Sequence, residues 1–125
     1  DMHNLRALLV EDDCVINADI YGVLETLGIF VTSVYSASAA IAVIDGGGYL
    51  KVLLTDIDLG EGPSGFDVAH HARRCYPNIP VVFISGTMGS RHAAAGIAGS
   101  VFIAKPFHPF EIREAISRTC GLEAA

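Results

Sequence analysis

The sequence has no tryptophan, only three cysteines and few basic side chains. Eight Lys and Arg against fourteen Asp and Glu give a formal net charge of −6. Because nucleic-acid binding depends on basic side chains that neutralise phosphates, this balance argues against direct nucleic-acid binding. Cys14, Cys75 and Cys120 are far apart and form no C-x-x-C pair, which excludes a disulfide framework or a zinc ribbon. We expect all three to be buried thiols.

Long apolar runs are also missing. No segment approaches the roughly 20 apolar residues that a membrane-spanning helix needs, and the first residues do not resemble a secretion signal. We therefore expect a cytoplasmic protein without membrane contact. With 125 residues, 51% of them hydrophobic and 18% charged, the composition is typical of one globular domain. We expect this domain to span residues 1–125, with its core between about 5 and 120.

Short apolar runs that do not alternate with polar residues are typical of strands buried on both faces of a parallel sheet. They lie at 8–10, 52–54, 81–84 and 101–104, with a weaker candidate at 29–33. Segments with helical periodicity lie at 16–27, 37–44, 64–76 and 112–120, and a short or mobile helix is expected around 91–95. This alternation predicts a three-layer α/β/α sandwich around a five-stranded parallel sheet.

Chemically active side chains stand at the ends of four of these strands. Glu11 and Asp12 follow the run at 8–10, and Asp56 follows the run at 52–54. Ser85 follows the run at 81–84, and Lys105 follows the run at 101–104. In an open parallel sheet, ligands bind outside the carboxyl ends of the strands, so these side chains are expected to meet at one edge. Each of them alone has an ordinary explanation as a helix cap, a turn residue or a surface charge.

Three acids at one edge would repel one another, and a bound cation would remove that repulsion. The candidate ligands are all oxygen atoms, which favours a hard ion and makes Mg²⁺ the natural choice. A carboxylate beside Mg²⁺ could attack an incoming phosphoryl group to form an aspartyl phosphate. Lys105 and Ser85 would then interact with the phosphoryl oxygens.

Four motifs, in this order, resemble the receiver domains of two-component response regulators over residues 5–120. They read LLVEDD at 8–13, LTDIDL at 54–59, ISG at 84–86 and AKPF at 104–107. The resemblance implies a flavodoxin-like (βα)5 doubly wound topology. It also implies a signalling phosphoacceptor rather than an enzyme. Such a phosphoacceptor takes a phosphoryl group from a sensor histidine kinase or histidine phosphotransfer protein, and it assists its own phosphorylation and dephosphorylation. The modified domain would act on a downstream protein target, and a homodimer is compatible with this.

Carried over residue by residue, the resemblance makes Asp56 the phosphoacceptor. Glu11 and Asp12 become the acidic pair that holds Mg²⁺ together with Asp56. Asp58 would contribute its backbone carbonyl to the same ion.

The same resemblance makes Ser85 the switch hydroxyl and Lys105 the lysine that pairs with the phosphoryl group, with a cis peptide bond to Pro106. Phe102 stands where many receivers carry a tyrosine that turns inward on activation. Because phenylalanine has no hydroxyl, Phe102 would have to act as a switch by packing alone, or it is an ordinary strand aromatic. The loop at 59–65 is one residue longer than usual, and its glycines suit turns with positive φ.

Two alternatives remain open at this point. Asp56 and Asp58 form a D-x-D pattern that, with Ser85 and Lys105, also fits a haloacid-dehalogenase-like phosphatase. Against it, nearly half the chain precedes Asp56, and the acids at 11–12 would have no role. A degenerate receiver-like module that only binds proteins is the other alternative. His70 and His71 are expected to face water rather than to carry phosphate.

Overall fold

The computed structural model describes residue 2, residues 4–86 and residues 96–121. Five parallel strands form one sheet in the order β2-β1-β3-β4-β5. They are β1 (Arg6–Val10), β2 (Phe30–Val34), β3 (Val52–Asp56), β4 (Val81–Ser85) and β5 (Val101–Ala104). This strand order is the flavodoxin-like one, and the predicted parallel sheet is confirmed. The helix expected around 91–95 lies outside the described residues.

Four helices are described. They are α1 (Cys14–Thr26), α2 (Ala37–Asp45), α3 (Gly65–Cys75) and α4 (Pro109–Thr119). Each begins just beyond a polar N-cap residue, and Asp13 caps α1 by accepting from Val15 N over 2.9 Å and from Ile16 N over 3.0 Å. These caps accept hydrogen bonds from N–H groups of the first helical turn, which have no partner within the helix. They therefore fix the residue at which each helix begins.

The core has two parts, one on each face of the sheet. Apolar side chains of α2 and α3 pack on one face, and those of α1 and α4 pack on the other. Side chains alternate along β4, where Phe83 joins the first cluster and Ile84 the second. The three-layer prediction is therefore confirmed. Among the helices described, none combines the length and apolarity that crossing a bilayer requires.

The prediction of buried thiols was wrong. Cys14 and Cys75 are exposed, and Cys120 is half-buried, where burial raises the pKa of its thiol. Cys14 is the first residue of α1 and Cys75 the last of α3, and helix ends are covered by fewer neighbours than helix centres. His70 is exposed as predicted, whereas His71 is half-buried and pairs with Asp45.

Candidate functional site

Lys105 joins two acids that come from different strands. Its Nζ lies 2.7 Å from Glu11 Oε1 and 2.9 Å from Asp56 Oδ2. Glu11 follows β1, Asp56 ends β3 and Lys105 follows β5, so the parallel sheet brings all three to its carboxyl edge. Burial lowers the pKa of Lys105, but its hydrogen bonds to the two carboxylates outweigh this and raise the pKa overall. The ammonium group therefore stays charged.

Asp56 is held by backbone groups as well as by Lys105. Its Oδ1 accepts a hydrogen bond of 3.2 Å from Asp58 N, while its own carbonyl oxygen accepts one of 2.8 Å from the Thr55 hydroxyl. The Asp56 residue is only 6% exposed. The side chain is thus oriented at the sheet edge with both oxygens already engaged.

Glu11 is the most buried acid of the site, at 1% exposure. Burial raises the pKa of Glu11 to about 7, although the hydrogen bonds from Lys105 and from Asp13 N oppose this rise. The physical cause is the loss of hydration that a carboxylate suffers in a protein interior. Near neutral pH Glu11 is therefore close to its titration midpoint, and a bound cation would shift it toward the ionised form.

Asp12 completes a group that could hold a cation. One carboxylate oxygen each of Glu11, Asp12 and Asp56 lies within 4.8 Å of the others. When all three carboxylates are ionised, the single positive charge of Lys105 leaves two negative charges to be balanced. An all-oxygen set with this excess charge fits Mg²⁺.

The loop after β3 borders this group. A Cβ atom at Gly60 would lie 3.9 Å from Asp12 Oδ2, and Gly60 N donates a hydrogen bond of 3.2 Å to Asp58 Oδ1. The Asp58 side chain is therefore occupied within its own loop. Gly60 and Gly62 have φ values of 81° and 91°, as expected for glycines in turns.

Ser85 and Phe102 lie on the two strands beyond Asp56. Ser85 is 2% exposed at the end of β4, and its carbonyl oxygen accepts a hydrogen bond of 2.9 Å from Lys105 N. Phe102 in β5 is half-buried and packs on the side of the sheet covered by α2 and α3. The peptide bond between Lys105 and Pro106 is cis, as the resemblance implied.

Asn17 is a site residue that the sequence reasoning missed. Only 2% exposed, it donates through Nδ2 to Glu11 O over 3.0 Å and to Val34 O over 3.2 Å. It thereby ties α1 to the ends of β1 and β2. In the sequence, Asn17 is a single polar residue on the otherwise apolar stripe formed by Ile16, Ile20 and Leu24. This pattern could have identified it.

A family model described as the response regulator receiver domain matches residues 7–117. The chain belongs to this family. It is a receiver domain of the kind found in two-component signalling, with the fold that such domains share.

Known relatives agree with this assignment. A receiver protein from Sinorhizobium medicae WSM419 is 32% identical, with a TM-score of 0.88 and 94% of each chain covered. The receiver domain of sensor histidine kinase PA1611 from Pseudomonas aeruginosa PAO1, described with magnesium coordinated in its active-site cleft, is 24% identical. Its TM-score is 0.81, with 94% of this chain and 98% of that one covered. The phyllosphere-induced regulator PhyR of Methylorubrum extorquens is 28% identical over 112 residues, which are 89% of this chain. The chain spans 42% of the length of PhyR.

The phosphatase alternative finds no support in these comparisons. The structure also argues against it, because Asp56 and Asp58 follow the third strand of the chain rather than the first.

Proposed function

We propose that the chain accepts a phosphoryl group on Asp56 in a Mg²⁺-dependent reaction and passes on a signal by changing a protein-binding surface. The observation that carries this proposal is the contact of Lys105 Nζ with both Glu11 and Asp56. It supports a site in which a nucleophilic carboxylate, a metal-binding carboxylate and a fixed cation lie together. The donor would be a phosphohistidine on a sensor histidine kinase or a histidine phosphotransfer protein.

Glu11, Asp12 and Asp56 would hold the ion, with the backbone carbonyl of Asp58 as a further ligand. Bound there, Mg²⁺ would neutralise charge on the phosphoryl oxygens and on the acids that face them. The carboxylate group described above supports this assignment, since its oxygens are close together and carry more negative charge than Lys105 can balance.

Asp56 would act as the nucleophile. One of its carboxylate oxygens would form the new bond to phosphorus, while the bond from phosphorus to the donor imidazole breaks and the imidazole takes up a proton. Asp58 N and Lys105 Nζ hold the carboxylate in place beforehand, which reduces the loss of freedom on reaction. Lys105 would then pair with a phosphoryl oxygen.

The signal would pass from the site into β4 and β5. We propose that the Ser85 hydroxyl binds a phosphoryl oxygen and that Phe102 responds by repacking. The bond from Lys105 N to Ser85 O supports this route because it joins the ends of both strands beside the site. A downstream protein, or a second copy of the chain, would recognise the changed surface. We propose that residues 1–125 form a single domain. This domain would act as a signalling phosphoacceptor and not as an enzyme with its own substrate.

The test is incubation with acetyl phosphate and Mg²⁺, followed by intact-mass measurement. We expect a mass gain of one phosphoryl group per chain, which disappears in D56N and when Mg²⁺ is chelated. D58N is the matched control, because Asp58 would contribute only its backbone groups to the site, and it should still be labelled.

Three other results would reject the proposal. An adduct that persists in D56N would show that another residue is modified. Sustained turnover of a generic aryl phosphate would indicate a phosphatase. A folded chain that takes up neither Mg²⁺ nor phosphoryl would be a receiver-like module that only binds proteins.

A further inference from the structure

A second cluster of metal-binding side chains lies between α2 and α3, away from the carboxyl edge. Asp45 ends α2, and His71 and Cys75 lie on the last two turns of α3. One ligand atom from each of these residues lies within 4.8 Å of the other two. His71 Nε2 is already 2.6 Å from Asp45 Oδ1.

The backbone holds the three residues in this arrangement. His71 and Cys75 are four residues apart on one helix, so their side chains project from the same face. Apolar side chains of α2 and α3 pack in one core cluster, and the Tyr76 hydroxyl donates a 3.0 Å hydrogen bond to Gly48 O. The ends of both helices are therefore tied together independently of the cluster.

We propose that Asp45, His71 and Cys75 form a binding site for a zinc-class divalent ion, with water as the fourth ligand. Thiolate, imidazole and carboxylate are the three groups that bind Zn²⁺ in proteins, and a thiolate with an imidazole favours Zn²⁺ over Mg²⁺. In a tetrahedral zinc site the ligand atoms are about 3.3–3.8 Å apart, so closure requires shifts of about 1 Å. Asp45 and Cys75 are exposed, so their side chains can make these shifts once the hydrogen bond between Asp45 and His71 opens.

The charges of such a site balance, and each proton that binding displaces has a destination. The Asp45 carboxylate and the Cys75 thiolate together balance the two charges of the ion. Binding releases the Cys75 proton to solvent, and the ring proton that His71 Nε2 donates to Asp45 has to move to Nδ1 before Nε2 can coordinate the ion. Arg74, whose guanidinium contacts His71 Nδ1 at 3.4 Å, then has to turn away, and its exposed position permits this.

The proposed zinc site is independent of the phosphoacceptor site. Gly65, at the start of α3, donates its N–H to Ile57 O next to Asp56, whereas Cys75 lies ten residues further along the helix. That distance corresponds to about 15 Å of helix. An ion at this end would join α2 to α3 and stabilise the fold without touching Asp56.

The experiment titrates the full reduced chain with Co²⁺ and Zn²⁺ in excess Mg²⁺, so that the acidic site is already filled. We expect one ion per chain, a thiolate-to-cobalt charge-transfer band that Zn²⁺ removes, and a higher unfolding temperature with Zn²⁺. C75S and H71N should each weaken Zn²⁺ binding by more than about tenfold. The matched controls C14S and H70N change an exposed cysteine and an exposed histidine outside the cluster, and should bind as the parent does.

Circular dichroism of each variant checks that it is folded. The proposal is overturned if the parent binds no Co²⁺ under these conditions, or if C75S and H71N retain the parent's affinity. It is also overturned if C14S abolishes the charge-transfer band, or if D12N abolishes binding, since the ion would then occupy the acidic site. Phosphorylation of C75S by acetyl phosphate should be unchanged, so failure of the zinc site and failure of the phosphoacceptor site are distinguishable.

Discussion

The side-chain amide of Asn17 donates a hydrogen bond of 3.0 Å to the backbone carbonyl oxygen of Glu11. The same amide reaches Val34 O at 3.2 Å, which in turn accepts a bond from Glu11 N. One side chain of α1 therefore fixes the backbone that presents the acidic pair. This arrangement links the stability of the fold to the geometry of the site.

Replacing Asn17 tests that link. N17A leaves the Glu11 carbonyl without its buried donor, so we expect the free energy of unfolding to fall by about 1–3 kcal/mol and Mg²⁺ to bind more weakly. Urea unfolding and Mg²⁺ titration measure the two effects. N78A, which changes an exposed asparagine, is the control and should alter neither. Equal midpoints for the two variants would show that Asn17 is not an anchor.

Replacing Lys105 removes the cation between two buried acids. In K105A without Mg²⁺, the buried carboxyl groups of Glu11 and Asp56 lose their shared cation, and we expect a loss of about 3 kcal/mol in unfolding free energy, of which added Mg²⁺ restores a part. Acetyl phosphate should still label Asp56, but amide hydrogen exchange in β4 and β5 should no longer respond to labelling. K51A changes the other, exposed lysine and should behave as the parent does. A normal exchange response in K105A would rule out the proposed coupling.

The raised pKa of Glu11 predicts a dependence on pH. The folded protein holds this proton up to a pKa of about 7, whereas the unfolded chain releases it near 4.5. Between these values the folded state binds more protons, so the contribution of Glu11 to stability falls as pH rises through this window. Urea unfolding of the metal-free chain across the window measures this.

Mg²⁺ binding should show the opposite trend, because it requires the ionised carboxylate of Glu11. Affinity should weaken when the pH falls below the pKa of about 7. E11Q cannot ionise and should remove this dependence from both measurements. If the parent and E11Q follow the same pH profile, Glu11 is not the group that titrates.

Gly65 allows α3 to start against the end of β3. A Cβ atom there would lie 2.8 Å from the Ile57 Cα and would overlap the carbonyl oxygen of Asp56. G65A should therefore displace this backbone, lower stability and reduce labelling of Asp56. G22A on α1 is the matched control, since a Cβ there meets nothing within 4 Å, and it should stabilise the fold by about 0.5–1 kcal/mol. Thermal unfolding measures the stability of both variants. A G65A protein as stable as the parent would contradict the expectation.

Local sequence patterns predicted the strands well, because a strand that is buried on both faces of a sheet consists of a continuous run of apolar residues. The continuous apolar runs became β1, β3, β4 and β5, while the weaker candidate at 29–33 became β2, displaced by one residue. The prediction for Cys14 and Cys75 failed because it relied on the usual burial of free cysteine, and residue type does not show that a position at a helix end has few covering neighbours.

By itself, the sequence determined the order of strands and helices, the parallel sheet and the residues at its carboxyl edge, because these follow from periodicity and from motifs at the ends of apolar runs. Only the tertiary structure decided which side chains meet. Lys105 contacts Glu11 across 94 residues of chain, Asn17 finds two carbonyl groups, and His71 pairs with Asp45 on another helix. Such contacts depend on how layers pack in space, and no short segment of sequence contains that information.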